Sequence, residues 1–304
     1  MRIAVTGSSG KLGSVVAREL RAAGHEVIGL DATGPRGPGF VQVDLTDYGQ
    51  TVDALTAVND QHDGFDALVH LAAIPAPGIR SDVATFHNNM VATFNVFWAA
   101  TRLGIRRIVY ASSETVLGLP FDVPPPYVPV DEEYLPRPES VYSLVKVLEE
   151  RMASELVRWS HAPAGSAQRA GGTWSGRGEH PELSITALRF SNVMWPEDYA
   201  AFAAVQDDAW ARKWNLWGYI DARDGAQAVQ RALENARPGF DQFIIAAADT
   251  VMERSNEQLL AEVFPDVPRR RPVGEHDTLL SIEKARRLLG YEPRHSWRDE
   301  VRQG

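Results

Sequence analysis

A strand that breaks at once into three evenly spaced glycines opens the chain and restricts what the rest of it can build. Ile3 to Val5 is a short apolar run; Thr6-Gly7-Ser8-Ser9-Gly10-Lys11-Leu12-Gly13 follows, and Leu12, Val15, Val16 and Leu20 then recur at helical spacing. Strand, glycine loop and helix in that order suit the phosphates of a dinucleotide. Gly7 permits a tight turn, Gly10 lets backbone approach a pyrophosphate, and Gly13 lets the helix lie close to the sheet. The helix N-terminus adds N–H donors and partial positive charge. The spacing is T-G-x-x-G-x-x-G rather than G-x-G-x-x-G, and a plain turn has the same composition, so the loop needs support from elsewhere.

That support begins in the next predicted strand, His25 to Leu30, which ends at Asp31. A carboxylate about twenty residues past the glycines is placed to accept hydrogen bonds from adenosine ribose hydroxyls. Its charge repels a 2′-phosphate, so Asp31 predicts NAD over NADP, with Arg36 near enough in sequence to soften the preference.

Further strands are predicted at Phe40–Val43, Ala67–Leu71, Arg107–Ala111 and Ser184–Arg189, separated by helical patterns at 46–59, 82–103 and 140–159. Such alternation predicts an α/β fold, a doubly wound parallel sheet of Rossmann type. No internal repeat is present. The segment 160–182 is rich in Gly, Ala, Ser and Arg without apolar period, and reads as a surface insertion or, with Trp174, as a lid. A chain of 304 residues with 44% hydrophobic content accommodates one large domain and a smaller appendage. Net charge of −9 disfavours nucleic acid and anionic membrane as partners. The absence of cysteine fits a reducing cytoplasm, and the early first strand leaves no room for a signal peptide. No apolar run approaches the roughly 20 residues of a membrane span. The 8 histidines are scattered without ligand spacing, so no metal is expected.

Chemistry enters with Tyr142-Ser-Leu-Val-Lys146, which puts a phenol and an ammonium one turn apart on one helix face. A free phenol, with pKa near ~10, is a poor base at neutral pH. A neighbouring ammonium and the positive ring of an oxidised nicotinamide favour the phenolate. It can then take a hydroxyl proton as hydride leaves carbon, or donate in reverse. Ala111-Ser-Ser-Glu-Thr115 follows a predicted strand, and Ser113 at such a strand end faces the ligand crevice of an open α/β sheet.

Taken together, the glycine loop, Asp31, Asp44-Leu45, His70-Leu-Ala-Ala73, Asn89, Ser112-Ser113, Tyr142-x-x-x-Lys146 and Arg189-Phe-Ser-Asn-Val193 resemble the extended short-chain dehydrogenase/reductases. More narrowly, they resemble the NAD-dependent epimerase/dehydratase group. Tyr219-Ile-Asp-Ala-Arg-Asp224 and Lys284 to Pro293 are similar to later family segments. The resemblance implies a Rossmann domain over 1–190 and a small substrate domain over 191–304, with some chain returning to the sheet. It implies that Gly7, Ser9, Gly10, Lys11, Leu12 and Gly13 cradle the pyrophosphate and that Asp31 takes the ribose. Asp44 and Leu45 border adenine, and Leu71, Ala72, Ala73 and Asn89 line the cofactor path. Ser113 and Tyr142 share the substrate oxygen, and Lys146 holds the nicotinamide ribose. Glu114, Asn192 and Trp195 are candidate substrate contacts; His70 and Asn89 suit structural roles as readily. The resemblance also implies a homodimer through the helices at 82–103 and 140–159, the first carrying Phe86, Met90, Phe94, Phe97 and Trp98.

Departures from the family bear on substrate. Val193 to Tyr219 is short for a segment that clasps a nucleotide, and Trp195, Trp210, Trp214 and Trp217 crowd it. Indoles there can stack on a sugar or simply fill the core. A compact, sugar-like substrate is expected, oxidised or reduced at a secondary alcohol or ketone. Among compact members, the uronate dehydrogenases have a similar serine segment, but here Glu114 replaces a neutral amide and Ala200 an expected arginine. A neutral substrate therefore fits better than a uronate. The alternative is a nucleotide-sugar 4-epimerase or dehydratase with recycled NAD, supported by Arg269-Arg270-Arg271 ahead of Gly274-Glu-His-Asp277. A catalytically silent NAD sensor would have less reason to keep serine, tyrosine and lysine together.

Overall fold

The first strand, β1 (Arg2–Thr6), sends Ile3 and Val5 into one apolar core and Ala4 into another. Side chains of a strand alternate, so burial on both faces marks a sheet covered by helices on both sides. In the computed structural model, which describes residues 1–35, 37–56, 63–161 and 182–302, the strands continue as β2 (Glu26–Asp31), β3 (Phe40–Gln42), β4 (Ala67–His70), β5 (Arg107–Ser113), β6 (Ser184–Phe190), β7 (Val193–Met194), β8 (Ile220–Asp221) and β9 (Gly239–Ile245). Seven of them form one parallel sheet in the order β3-β2-β1-β4-β5-β6-β9. The strand order reverses direction between β1 and β4, the place where open α/β sheets open a ligand crevice.

The helices are α1 (Lys11–Ala22), α2 (Tyr48–Thr56), α3 (Asp82–Arg102), α4 (Val141–Ser160), α5 (Ala222–Asn235), α6 (Asn256–Val263), α7 (Glu283–Leu289) and α8 (Trp297–Arg302). One core joins α1 and α5 to the face carrying Ile3, Val5, Val109 and Leu188; the other joins α3 and α4 to the face carrying Ala4, Leu68, Ile108 and Ala187. Every strand expected up to Arg189 is present. The C-terminal part adds β9, which pairs with β6 from Ser184↔Gly239 to Phe190↔Ile245. β7 and β8 form a separate parallel pair just beyond the sheet. Of the insertion expected at 160–182, Ser160 closes α4, while residues 162–181, including Trp174, lie outside the described residues, as do Arg36 and residues 57–62.

Among the described residues no helix is long and apolar enough to cross a membrane, and no cluster of three or more His, Asp or Glu is arranged to hold a metal ion.

Candidate active site

The glycine loop is shaped by collisions that only glycine avoids. Gly7 has φ +67°, and a Cβ there would lie 2.6 Å from the Ala72 backbone nitrogen. A Cβ at Gly13 would lie 2.0 Å from the Gly7 carbonyl oxygen, so α1 rests directly on the loop that precedes it. Gly10, the N-cap of α1, has no side chain to cap the helix, and the first turn holds no acidic residue. A helix N-terminus with no side-chain cap and no acidic residue in its first turn, beside a loop that Gly7 and Gly13 keep tight, is suited to a phosphate-bearing group. The cradle opens into a cavity of about 870 Å³. Gly7, Ser9, Gly10, Lys11, Leu12, Gly13, Asp31, Asp44, Leu45, Leu71, Ala72 and Ala73 line it on the side of the glycine loop. Asp31 sits at the end of β2 and accepts from the Ser9 backbone N–H at 3.0 Å. Asp44 is held by the Thr46 N–H at 2.9 Å and hydroxyl at 2.6 Å. These contacts hold both carboxylates at the cavity wall.

At the other end, Ser113 closes β5, and Tyr142 and Lys146 come from the first two turns of α4. A reciprocal cap fixes where α4 begins. Ser140 Oγ accepts from the Ser143 N–H at 3.1 Å, and Ser143 Oγ accepts from the Ser140 N–H at 2.9 Å. Tyr142 is thereby pinned two residues inside a stable helix start. Lys146 Nζ lies 5.8 Å from the centroid of the Tyr142 ring and donates to Ala111 O and to Glu149 Oε2, each at 2.9 Å.

Of the two cations expected to favour the phenolate, the chain supplies Lys146, and Lys146 alone does not outweigh burial. Burial pushes the Tyr142 phenol above its ordinary range; Lys146 and Ser113 pull it down, while Glu149 and Glu114 push it up further. Desolvation dominates because Tyr142 is only 7% exposed. The protein's own groups thus keep Tyr142 protonated, and a positive nicotinamide ring would have to supply the rest of the pull. Burial also disfavours the Lys146 ammonium, but Glu149 and Tyr142 outweigh it and hold the lysine above its ordinary range.

Glu114, which lines the cavity beside Ser113, accepts from Asn215 Nδ2 at 3.1 Å. Burial pushes its carboxyl up to about 7, although Ser191, Asn215 and Arg212 pull it back. A carboxyl that keeps its proton to about 7 in the folded chain, against about 4.5 ordinarily, favours folding at low pH. That advantage is lost as pH rises through 7, a loss on the order of 3 kcal/mol. Glu114→Gln should therefore flatten the decline in melting temperature between about pH 5 and pH 8 relative to the parent chain. Parallel declines would remove Glu114 as the source.

Three sequence candidates sit elsewhere. Asn89 is fully buried and clamps the loop after β4, its Oδ1 accepting from Ile74 N–H at 2.8 Å and its Nδ2 donating to Ile74 O at 3.0 Å. Its neighbour Asn88 lines the cavity instead, since one step along a helix turns a side chain by about 100°. His70 is buried between Thr6 and Thr93. Trp195 stays outside the cavity wall. Its indole N–H donates to Lys11 O at 3.1 Å, its ring lies 5.5 Å from Lys11 Nζ, and Lys11 is ion-paired with Asp198. Of the four crowded indoles Trp214 reaches the cavity, Trp217 is wholly buried with its N–H on Ala209 O, and Trp210 is exposed. Asn192 lines the cavity, as do Thr115 and Ser191 from the quoted motifs and the Ile74–Pro77 segment, which no motif singled out.

Two of the three arginines of the basic run are engaged away from the main cavity. Arg270 bonds Asp131 at 3.1 Å and Glu133 at 2.5 Å, and Arg271 donates to Ser281 Oγ at 2.9 Å. Arg269 lines a different cavity, beside α6. Among the described residues lining the main cavity, the cations are Lys11 and Lys146.

Comparison with known proteins gives concordant matches. A sequence model of the NAD dependent epimerase/dehydratase family matches residues 3–246. A UDP-glucose 4-epimerase of Lacticaseibacillus casei is 27% identical, covering 99% of this chain and 94% of that protein. An L-arabinose 1-dehydrogenase (NAD(P)(+)) of Haloferax volcanii is 34% identical over 50% of this chain and 60% of its own length. A crystal structure of a UDP-galactose 4-epimerase superposes with a TM-score of 0.66 at 26% identity, covering 100% of this chain and 97% of that one.

Proposed function

The chain belongs to the NAD dependent epimerase/dehydratase family, and from that premise we propose that it interconverts a secondary alcohol and a ketone on a compact, uncharged sugar. The glycine loop with Ser9, Lys11 and Leu12 would hold the pyrophosphate, and Asp31 the adenosine ribose. Asp44, Leu45, Leu71, Ala72 and Ala73 would border the rest. NAD, when bound, takes up or returns the hydride. Ser113 and Tyr142 orient the reacting oxygen, and Tyr142 takes its proton or gives it back. Lys146 stabilises the phenolate form.

The observation that carries this reading is the lining at the Ser113 end. Ser113, Glu114, Thr115, Ser191, Asn192 and Trp214 offer hydroxyl, amide and carboxyl groups suited to sugar hydroxyls. No arginine stands among the described lining residues to pair with a diphosphate, and Arg270 and Arg271 are engaged elsewhere. The similarity to an L-arabinose 1-dehydrogenase supports a free sugar as substrate.

A second reading, a nucleotide-sugar 4-epimerase, is supported by similarity to a UDP-glucose 4-epimerase over nearly the whole of both chains. The two are separated by absorbance. A dehydrogenase offered NAD⁺ and a panel of free aldoses accumulates NADH with one of them. An epimerase shows no net absorbance change and interconverts UDP-glucose and UDP-galactose. The second outcome, without NADH from any free sugar, overturns the first reading.

A homodimer is part of the same proposal. Val83, Phe86 and Phe94 on α3 and Leu144 and Leu148 on α4 are exposed at helical spacing, and α3 packs on α4, so the two stripes adjoin. A second copy meeting this face would bury them. Light scattering should then give twice the 33.5 kDa chain mass, and Phe94→Glu should halve it; a parent of single-chain mass refutes the dimer.

A further inference from the structure

Helix α4 carries two successive buried carboxylates whose charges are answered by different partners. Glu150 accepts from Arg189 Nε at 2.9 Å and Nη2 at 2.7 Å, and from Ser112 Oγ at 2.6 Å. It closes an ion pair under the sheet. Glu149, with no exposure at all, accepts from Lys146 Nζ at 2.9 Å through Oε2 and from Thr93 Oγ1 at 2.8 Å through Oε1.

Behind Thr93 the contacts continue and have a single sense. Thr93 Oγ1 lies 3.1 Å from His70 Nε2, and His70 Nδ1 lies 2.7 Å from Thr6 Oγ1. Thr6 Oγ1 already accepts from the Leu71 N–H at 3.1 Å and the Ala72 N–H at 3.3 Å. With its lone pairs so used, the Thr6 hydroxyl donates to His70 Nδ1. The ring proton is then on Nε2 and is donated to Thr93, whose own hydrogen goes to Glu149. This requires a neutral imidazole, and burial, reinforced by Lys146, pushes His70 down to about 3. Every donor in the chain points toward the Glu149 carboxylate.

We propose that Glu149 is a positioning residue that fixes Lys146 as an ammonium at one place beside Tyr142, and that the Thr6–His70–Thr93 chain in turn fixes Glu149. Lys146 has three N–H donors, of which Glu149 and Ala111 O take two. One remains for a ligand in the cavity. The inference rests on the reading of Tyr142 as the proton-transfer group.

Glu149 also sets how strongly Lys146 acts on the phenol. The other charged or titratable groups around the pair are Glu114 after β5, Tyr110 on β5, Arg189 on β6, His70 on β4 and Glu150 on α4 itself. Arg189 and Glu150 offset each other, His70 is neutral, Tyr110 is held in its phenol form, and Glu114 keeps its proton up to about 7. Glu149 is therefore the negative charge that, added to the larger effect of burial, opposes the pull of Lys146 on the phenol proton.

Glu149→Gln keeps an oxygen for Lys146 and removes the charge. In the protein without cofactor, the tyrosinate absorbance that disappears in Tyr142→Phe should arise about one pH unit or more lower in Glu149→Gln than in the parent. The pH profile of turnover should move the same way, and Glu149→Asp should return both toward the parent. An unshifted tyrosinate transition overturns the proposal. If Glu149→Gln does not fold, the unpaired ammonium is the cause assigned here, and adding Lys146→Met should restore folding; a double variant that also fails to fold overturns the proposal as well. Full turnover by Tyr142→Phe would refute the proton-transfer reading alone, since the absorbance titration stands without it.

Discussion

Replacing Tyr142 with phenylalanine should lower turnover by about 10²–10⁴-fold while leaving NAD affinity essentially unchanged. The substitution removes one oxygen and keeps the ring that packs at the start of α4. The cap made by Ser140 and Ser143 does not involve the phenol, so the helix start survives. The glycine loop and Asp31 lie at the opposite end of the cavity and keep their geometry. What is lost is the acid and base for the reacting oxygen, which Ser113 cannot replace. Its Oγ accepts from the Thr115 N–H at 3.2 Å and hydroxyl at 3.0 Å, and an alcohol is a far weaker acid than a phenol. Steady-state kinetics with parallel calorimetric titration of NAD checks both halves. Undiminished turnover would remove Tyr142 from the chemistry; lost NAD binding would make it a binding residue instead.

The second large effect is expected from a single methyl group. Gly13→Ala places a Cβ 2.0 Å from Gly7 O, 2.8 Å from Gly7 C and 3.1 Å from Ser8 Cα. All three are backbone atoms, so no rotamer change relieves the overlap, and either α1 or the loop must move. Overpacking of this kind costs about 3 kcal/mol or more. The shift also carries the helix N-terminus away from the cradle, so NAD affinity should fall by about 100-fold, or roughly 3 kcal/mol. Gly10→Ala is the matched control, because its Cβ would come no nearer than 3.3 Å to Gly7 O. It should unfold in urea within about 1 kcal/mol of the parent. Equal urea midpoints for the parent and Gly13→Ala would show that the loop and helix are not wedged together.

Both residues could be read from the sequence because local spacing constrains them. Glycines three apart after a strand, and a tyrosine four before a lysine on a helix, specify relative placement without knowledge of distant contacts. Where placement depends on helix phase or tertiary burial, the sequence is mute. Asn88 and Asn89 are the same residue type, and only the rotation of α3 decides which one faces the cavity. Which indole reaches the cavity depends on the turn through Leu216 and Trp217, both at positive φ, which turns Trp217 inward. Glu149 reads as one more acid on an amphipathic helix until Lys146 and Thr93 are found on either side of it. Lys146 beside Tyr142 is legible as one of two cations favouring the phenolate, but the desolvation that opposes it in the chain alone is displayed by no sequence. β9 escaped for a related reason. Gly239-Phe-Asp-Gln is weakly patterned, and its partner in the sheet lies 55 residues earlier in register, Ser184 against Gly239.

That last pairing has a consequence for how the chain is made. All seven residues of β6 are buried, and one of its two edges is covered only by β9. On a ribosome, β6 emerges well before Gly239–Ile245 follow it out. During that interval the nascent sheet ends in an apolar strand with an open row of backbone donors and acceptors, the kind of edge that recruits other chains. Synthesis stalled or truncated after Phe190 would leave the glycine loop and the Ser113–Tyr142–Lys146 group complete in sequence but borne on a sheet inviting aggregation. Only when β9 arrives is that edge of the sheet closed.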